Sequence, residues 1–434
     1  MQRIATPPLD RRLQKRYLML VHSHMRHAPK LAAGIASVPG VASAWASTQG
    51  AWRFLNNDRV GLPALIEPLR HEGRERANAS IAPFVMLVHD WCKLTYRHPA
   101  RKRDLAQLTH ATDIGYELTT ALLVSADQGN PLAPMEMHLK TGDKVLSTRT
   151  PAPRRMGHLE QILPTMKASR GWGLTKPILH VVDREADSID HYRRWDKAGH
   201  KFLVRGDDRR VKWKGKCRLL SEIRTQLRED RMFRHAGRAR HHGQAAQLWV
   251  AETEVVLYRP AKKNVEGEKY ELAGRPLTLR FIAVQLRDER GQMILAEWLL
   301  LTNMPPELAS TELLARCYYW RWRIENFFKL LKSHGLELEQ WLQATGIAII
   351  RRLLVAAMAC VIVWKLQEDD SPRAVEAKNV LIRLSGRQMK RSRPHTAPAL
   401  LAGLWVLLSM VSILEHYPIH KLKRLAEQIF LDTG

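Results

Sequence analysis

The chain has 434 residues, and 45% of them are hydrophobic. This length and composition allow two or three domains, each with its own hydrophobic core, and exclude an intrinsically disordered protein. Its 69 Lys and Arg residues exceed its 43 Asp and Glu residues and give a formal net charge of +26, which predicts a polyanionic partner such as DNA or RNA. The four cysteines form no C-x-x-C pair, which argues against a zinc site or a disulfide framework and fits a reducing cytoplasm.

The N-terminal region, residues 1–80, is predicted to be helical and basic. It contains the segments RRLQKR and GAWRFLNN, in which arginines accompany a Trp-Arg-Phe cluster. Such helices are typical of a small DNA-binding region. A helical lid over the next domain is an alternative that this segment alone leaves open.

The region 81–200 alternates strands with helices, which predicts an α/β layer. The runs 84–88, 117–125, 135–139 and 178–182 are apolar enough for buried strands, and 158–167 is predicted to be helical. Asp90 and Asp183 each follow a predicted buried strand. A single aspartate in that position is more often a cap or turn residue, so neither one alone identifies a site.

The region 201–303 consists of short β-rich runs between charged loops and is predicted to be an all-β insertion of domain size. Arg205 and Arg210 belong to a basic string that we expect to line a DNA path, although a solvated loop is an alternative. Trp298 lies in the strand-like run EWLLLT. The pair His241-His242 has no partner spacing for a zinc site.

The region 304–345 contains YYWRWRIENFFKLLK, which is predicted to be one amphipathic helix. On a helical wheel of about 100° per residue, Tyr318, Arg321, Glu325 and Lys332 share one face. The adjoining apolar stripe that packs on the core is formed by Trp320, Ile324, Phe327, Phe328 and Leu331. A simple Arg321–Glu325 ion pair across one turn is the alternative for the polar face.

The remaining residues, 346–434, are predicted to be helical. Leu353 to Trp364 is too short to span a bilayer, and Ala399 to Leu414 contains a glycine and two serines. We therefore interpret both apolar runs as buried or dimer-face helices and expect no membrane segment.

Two strand-end aspartates and one helical glutamate are the residues that a two-metal phosphoryl-transfer site requires. Oxygen ligands hold two Mg²⁺ ions about 3.5 to 4 Å apart, so that one activates the attacking group and the other stabilises the leaving oxygen. Asp90, Asp183 and Glu325 occur in that structural order in a strongly basic chain.

Three motifs carry a resemblance to a known family: HDWCKLTYRH around Asp90, HVVDREAD around Asp183, and Y-x2-R-x3-E-x6-K from Tyr318 to Lys332. Together they resemble the DDE transposases of bacterial insertion sequences, specifically the insertion-sequence-four group with its Tn-five-like enzymes. The similarity extends from GAWRFLNN through WRIENFFK, which is most of the chain. It implies an α/β fold: an RNase H-like catalytic core interrupted by an all-β insertion, with helical N-terminal DNA-binding and C-terminal regions.

The resemblance also implies roles for individual residues. Asp90, Asp183 and Glu325 would bind Mg²⁺, with Mn²⁺ as a substitute. Tyr318, Arg321 and Lys332 would contact phosphates at the transposon end. Trp298 would stack on a flipped base, for which a buried strand tryptophan is the alternative. One departure is that Trp91-Cys92 follow the first aspartate, where this group usually has hydroxyl residues.

The implied function is cut-and-paste transposition by end nicking, hairpin formation, hairpin opening and strand transfer. The implied partners are transposon-end DNA, target DNA and a second copy of the chain in a synaptic complex, in a bacterial cytoplasm close to the nucleoid. Two alternatives remain: an RNase H-like nuclease that cuts without joining, and an element-derived DNA-binding repressor.

Overall fold

The computed structural model describes residues 4–26, 44–96, 98–153, 157–265, 268–332, 335–387, 395–415 and 417–431. The described part of the N-terminal region contains the helices α1 (Arg11–Arg26), α2 (Ala44–Leu55) and α3 (Leu62–Ala79). Buried residues in α1 recur at helical spacing, as Tyr17, Leu20 and Val21 show, so one face of this helix packs on the rest of the protein.

The next part of the chain forms strands with two helices. In chain order these are β1 (Val85–Leu94), β2 (Ala106–Gln107), β3 (Ile114–Ser125), β4 (Pro131–Lys140), β5 (Val145–Ser147), α4 (His158–Ser169), β6 (Ile178–Val182), α5 (Ile189–Lys197) and β7 (Lys201–Arg205). The strands predicted at 117–125, 135–139 and 178–182 and the helix predicted at 158–167 are confirmed. Each of these segments has a continuous or periodic apolar pattern.

The following region is rich in β-strands. It comprises β8 (Arg210–Trp213), β9 (Lys216–Leu219), α6 (Leu220–Glu229), β10 (Arg234–His241), β11 (Gln244–Leu257), β12 (Ala261–Val265), β13 (Glu268–Leu272), β14 (Leu277–Asp288) and β15 (Ile294–Thr302). The C-terminal part is helical: α7 (Thr311–Trp320), α8 (Arg323–Lys332), α9 (Gly346–Glu368), α10 (Pro372–Leu384), α11 (Ala397–Leu414) and α12 (Ile419–Leu431).

One large sheet runs through both strand-rich regions, and the fold is mixed α/β. Its order is β5-β4-β3-β1-β6-β7-β15-β14-β11-β8-β9, with β2 beside β3 and β10 beside β11. β1 is antiparallel to β3 and parallel to β6, which is parallel to β7. β15 then pairs antiparallel with β7.

This topology corrects the expectation of an all-β insertion. The region 201–303 contains the helix α6, and its first strand, β7, completes the parallel part of the sheet. The sequence of this region does predict strands. It does not predict that β7 pairs with β6 and β15, because those hydrogen bonds join residues that are distant in the sequence.

A second correction concerns Asp90, which lies inside β1 and not at its end. β1 continues to Leu94 because its antiparallel pairing with β3 continues, and Asp90 faces Thr120 there. The parallel pairing with β6, in contrast, stops at the pair His89–Val182. Asp90 therefore lies one residue beyond the last β1–β6 pair, beside Asp183 at the end of β6.

A third correction concerns the helix predicted from Tyr318 to Lys332, which is two helices. α7 ends at Trp320 and α8 starts at Arg323. At the junction the backbone N–H of Arg321 donates to Tyr318 O at 3.1 Å, and that of Ile324 donates to Arg321 O at 3.2 Å. These tight i−3 bonds mark a local change from α-helical winding, so ideal wheel angles do not apply across it.

Helix α9 forms the centre of the largest core, where it packs against helices α1, α2, α3 and α11 and strand β4. Almost every residue from Leu353 to Trp364 is buried, as predicted. Two helices, α9 and α11, are long and apolar enough to cross a membrane, with 89% and 33% of their apolar windows buried in the protein. A second core lies on the other side of the sheet under α4, α5 and α6.

Candidate active site

Three carboxylates from distant parts of the sequence meet at one edge of the sheet. Asp90 is contributed by β1, Asp183 follows β6, and Glu325 lies in the first turn of α8. β1 and β6 are parallel neighbours, so their carboxyl ends bring the two aspartates to the same place. α8 packs against β1 and brings its glutamate to this pair.

The guanidinium of Arg321 lies between the three carboxylates. Its Nη1 donates to Asp90 Oδ2 at 3.1 Å, and its Nη2 donates to Glu325 Oε1 at 3.0 Å. The same Nη2 lies 3.5 Å from Asp183 Oδ2. Arg321 is only 5% exposed, whereas the Glu325 side chain is 42% exposed, so the cluster opens to solvent on the Glu325 side.

The two aspartates differ in their tendency to ionise. Burial raises the pKa of Asp90 to about 6, although the Arg321 guanidinium and the Trp91 backbone N–H act against this shift. Burial also acts to raise the pKa of Asp183, but Arg321, the Arg184 backbone N–H and the Tyr318 hydroxyl outweigh it and hold that pKa below its usual value. The site therefore combines one readily ionised carboxylate with one that needs a nearby cation.

Tyr318 is an internal partner of the site. Its hydroxyl donates to Asp183 Oδ1 at 2.9 Å, and the residue is only 2% exposed. The Arg184 backbone N–H donates to the same oxygen at 2.7 Å, because Asp183 caps the short 3₁₀ turn that follows β6. Tyr318 and this cap together fix the orientation of the Asp183 carboxylate.

Lys332 is paired with an acid that the sequence analysis did not single out. Its Nζ lies 3.0 Å from Glu339 Oε1 and donates to Lys93 O at 2.7 Å. Glu339 Oε1 also accepts from the Thr95 backbone N–H at 2.8 Å. Glu339 lies in a short 3₁₀ turn after α8. Its closeness to Lys332 in the sequence is the only feature from which this ion pair could have been predicted.

Trp91 follows Asp90 at a position where the family resemblance predicts a hydroxyl residue. The Trp91 ring stacks on His158 of α4, with ring centroids 4.0 Å apart and planes 20° apart. His158 contacts Glu117 at 3.2 Å and Glu185 at 2.9 Å. Burial acts to lower the pKa of His158, but these two carboxylates raise it overall. A polar network on α4 thus anchors the tryptophan beside the first aspartate.

The structure places Trp298 beside the site but inside the protein. It is 5% exposed, and its ring meets Tyr318 at 5.4 Å and Trp322 at 6.2 Å between centroids. Trp322, in the turn between α7 and α8, is 37% exposed. Trp322 is thus the exposed neighbour of Trp298, and the sequence assigns no role to it, whereas Trp91 and Phe328 are the aromatic residues that line the carboxylate pocket.

The two predicted basic residues of the next region have different positions. Arg205 ends β7 and is close enough to Asp183 to contribute to lowering its pKa. Arg210 begins β8 and is exposed, separated from β7 in the sheet by three other strands. Its neighbour Arg209 pairs with Asp187 at 2.5 Å. The structure brings Arg205 close to Asp183 and leaves Arg210 on the surface, with three strands between it and β7.

A pocket of about 600 Å³ contains the carboxylates and is open on one side. Its lining also includes Cys92, Lys329 and Lys332. Carboxylate oxygens are the ligands that Mg²⁺ and Mn²⁺ prefer, so the donor set fits a divalent ion. Across the part of the chain that the structure describes, no three acidic, histidine or cysteine side chains are already arranged as metal ligands. Metal binding here requires Arg321 and the carboxylates to separate, because the guanidinium now lies between them.

Comparison with known proteins gives two family matches and one structural match. Residues 135–362 match the family model "Transposase DDE domain", and residues 9–60 match "Transposase DNA-binding". The first range includes Asp183 and Glu325 and begins after Asp90. A cryo-EM structure of a piggyBac transposase synaptic complex with hairpin DNA is 10% identical, with 96% of this chain and 74% of that chain covered and a TM-score of 0.37. That likeness is too distant to support any conclusion about this chain.

Proposed function

Because this chain belongs to the transposases with a DDE domain, we propose that Asp90, Asp183 and Glu325 are its catalytic carboxylates. The observation that supports this assignment is the convergence of all three on the single guanidinium of Arg321. Three acids that come together from three separate elements at an open pocket are an arrangement suited to phosphoryl transfer. The chain is an enzyme of DNA transposition with a DNA-binding domain at residues 9–60.

The finer family assignment rests on the spacing of Tyr318, Arg321, Glu325 and Lys332. This spacing is that of the insertion-sequence-four group, and in the structure the first three of these residues contact one another or the aspartates. We assign the chain to that group. The strands β4-β3-β1-β6-β7 would be its RNase H-like core, with three antiparallel strands followed by two parallel ones.

The metal in this assignment is Mg²⁺, with Mn²⁺ as a substitute. Bound to the three carboxylates, the ions would activate the attacking oxygen and stabilise the leaving oxygen. The protein contributes the orientation of its ligands, since Tyr318 and the Arg184 N–H fix Asp183 and the Trp91 N–H donates to Asp90 at 2.8 Å.

The reaction is a series of in-line displacements at phosphorus. Water attacks the phosphodiester bond at the transposon end and releases a 3′-OH. That 3′-OH attacks the opposite strand, which forms a hairpin and frees the flanking DNA. A second water opens the hairpin, and the restored 3′-OH attacks target DNA. Arg205, Arg321 and Lys332 supply cations for phosphate groups at the pocket, and Arg210 extends this basic surface.

The aromatic residues of the site suit an unpaired base of the hairpin step. Trp298 is the base-stacking residue that the family resemblance implies, and we retain that role for it together with its contact residue Trp322. Because Trp298 is 5% exposed and its ring contacts Tyr318 and Trp322, a base reaches it only if the side chains that cover it move. Stacking of an extruded base on tryptophan stabilises it by about 1 to 3 kcal/mol.

A second copy of the chain is the proposed protein partner, because transposition joins two ends. The C-terminal helices offer an apolar surface for it. Exposed apolar side chains on and between α11 and α12 are Val406, Met410, Val411, Leu414, Tyr417, Ile419, Leu425 and Ile429. Large exposed apolar side chains on two consecutive helices are typical of a protein interface. Its place of action would be the bacterial cytoplasm, in contact with the nucleoid DNA.

The proposed regions follow from these assignments. They are 1–80 for end binding, 81–200 and 304–345 for the catalytic core, 201–303 for the β-rich insertion, whose first strand β7 pairs with the core strand β6, and 346–434 for dimerisation. The transposon end and target DNA would lie across the pocket at the carboxylates, which residues of the core line.

The test is cleavage of short duplexes that carry the ends of the element encoding this chain. We expect Mg²⁺-dependent nicks and hairpins on a denaturing gel, and none with Glu325→Ala or with EDTA. Retarded but uncut DNA with both proteins would contradict the proposal and indicate a DNA-binding repressor. Cleavage without transfer of the 3′ ends into a second DNA molecule would indicate a nuclease.

A further inference from the structure

Arg321 occupies the place from which the three carboxylates would bind a metal ion. It lies within 3.0 to 3.5 Å of one oxygen from each acid and is 5% exposed. Its charge offsets the mutual repulsion of three acids in a partly desolvated site, which is costly without a cation. The arginine is thus the internal counter-ion of the cluster.

A divalent ion and this guanidinium cannot share the site. Mg²⁺ binds oxygen ligands at about 2.0 to 2.1 Å, so its ligands must approach a common point closely. A planar guanidinium between the same oxygens holds them apart at hydrogen-bond distances and adds a positive charge next to the ion. Binding of the ion therefore requires the Arg321 side chain to leave.

Two features distinguish the present position of Arg321 from that of a fully bonded residue within a regular helix. Its Nε is buried and, among the residues described, has no hydrogen-bond partner. One N–H donor of the side chain is therefore left without an acceptor in this position. It also belongs to the turn between α7 and α8, whose hydrogen bonds are of the tighter i−3 kind. On the open side of the cluster, Lys329 and Lys332 line the same pocket and favour a polyanion there.

We propose that Arg321 competes with divalent metal for Asp90, Asp183 and Glu325 and releases them when its guanidinium binds a DNA phosphate. Metal binding and DNA-end binding are then positively coupled through one side chain. This coupling delays assembly of the metal site until DNA is bound and protects other phosphodiesters from cleavage. The inference rests on the proposed assignment of the three carboxylates as metal ligands.

Thermodynamic reciprocity makes the coupling measurable from either side. If end DNA tightens metal binding, metal tightens DNA binding by the same factor. The probe is Mn²⁺, followed by electron paramagnetic resonance, with a blunt duplex that ends at the tip of the element and has no flanking bond to cut. Mn²⁺ bound by the duplex alone is subtracted.

Removal of the competitor gives the decisive comparison. For Arg321→Gln without DNA, we expect Mn²⁺ affinity to rise by roughly fivefold or more over the wild type. Adding the duplex should tighten Mn²⁺ binding by the wild type and leave the variant unchanged. Lys329→Gln is the matched control, because it removes one positive charge from the same pocket and should retain the DNA effect. Weaker or unchanged Mn²⁺ binding by Arg321→Gln would overturn the inference.

Two further variants separate the possible failures. Glu325→Gln should weaken Mn²⁺ binding, and if it does not, the proposed metal site itself is wrong. If it does, while Arg321→Gln fails to tighten binding, only the competition is wrong. Should Arg321→Gln not fold, as judged by its thermal transition, Arg321→Lys provides the test. The lysine ammonium lacks the planar arrangement of N–H donors with which the guanidinium contacts three carboxylates. Arg321→Lys should therefore also bind Mn²⁺ more tightly than the wild type.

Discussion

Arg321 donates from Nη1 to Asp90 Oδ2 at 3.1 Å, although 231 positions separate the two residues in the chain. This bond joins the α7–α8 turn to the middle of β1. It links the acidic site to the arginine of the same motif. Substitutions at the residues that contact the site should therefore alter catalysis in distinguishable ways.

Tyr318→Phe removes the hydroxyl that donates to Asp183 Oδ1 at 2.9 Å. We expect stability to fall by about 1 kcal/mol, as for loss of one hydrogen bond, and single-turnover nicking to slow severalfold while end binding is retained. The matched control is Tyr319→Phe, whose hydroxyl instead bonds the Arg240 backbone. Equal nicking rates for the two variants would show that the Tyr318 hydroxyl has no part in orienting Asp183.

Glu339→Gln removes the negative charge that faces Lys332 at 3.0 Å. Lys332 should then bind phosphate more strongly, so end DNA should bind more tightly and its affinity should depend more steeply on salt. Glu337→Gln removes the same charge two positions earlier and serves as the control. The account fails here if Glu339→Gln binds DNA more weakly with an unchanged salt slope, since that would mean that Glu339 only supports the fold.

The stability of the protein should fall in mild acid because of buried histidines at β6, where His180 contacts His89 at 3.0 Å and also lies against His200. The rings of His180 and His200 meet edge to face at 5.4 Å. Burial lowers the pKa of His200 to about 4, and the positive charges of Arg170 and Lys167 add to this effect. Burial is also the main reason why the pKa of His180 lies well below its usual value. The unfolded chain therefore binds protons near pH 6.5 that the folded chain does not accept, so stability rises with pH between about 4 and 6.5.

Chemical denaturation at pH 5 and at pH 7.5 measures this effect. His200→Phe should reduce the difference in unfolding free energy between the two pH values by on the order of 2 kcal/mol. His110→Asn, at an exposed position, should leave the difference unchanged. An undiminished difference in His200→Phe would show that His200 accepts a proton in the folded protein.

Gly129→Ala should be more destabilising than an ordinary glycine substitution. Gly129 has φ +68°, and an added Cβ would lie 2.3 Å from the Trp320 ring at the end of α7. Gly243 has φ +82° with nothing within 4 Å of the added atom, so Gly243→Ala reports the backbone strain alone, about 1 kcal/mol. Thermal unfolding should show a clearly larger loss for Gly129→Ala. Similar losses would mean that Trp320 moves aside freely.

The apolar C-terminal surface predicts the effect of a charge on self-association. Met410→Glu places a carboxylate on α11 at a residue that is 47% exposed, so the monomer should fold normally. We expect it to lose the dimer that we propose for the wild type with end DNA, as measured by light scattering. Val380→Glu, at a residue that is 42% exposed on α10, is the control. A Met410→Glu protein that still forms paired-end complexes would place the interface elsewhere.

Local patterns in the sequence were sufficient for several elements of this fold. The apolar runs of β1 and β6 and the stripe of Ile324, Phe327 and Leu331 on α8 are buried as their periodicity predicts. Asp183 lies where its strand ends. These features depend on neighbours in the chain, which is why they were predictable.

Features that depend on distant contacts were not predictable in the same way. The extension of β1 past Asp90 is held by β3, and the junction of β7 with β15 is a pairing across about a hundred residues. The break between α7 and α8 carries no proline or glycine to mark it. Glu339 became part of the site only through contacts with Thr95 and Lys332.

The most direct test of the central claim, one shared carboxylate site, uses Asp90→Asn, Asp183→Asn and Glu325→Gln. Each variant is given end DNA with flanking sequence to measure nicking, and a pre-cleaved end with plasmid to measure joining. If the three acids form one phosphoryl-transfer site, every variant should bind end DNA and lose both nicking and joining. Retention of both activities by any one of the three would contradict the account.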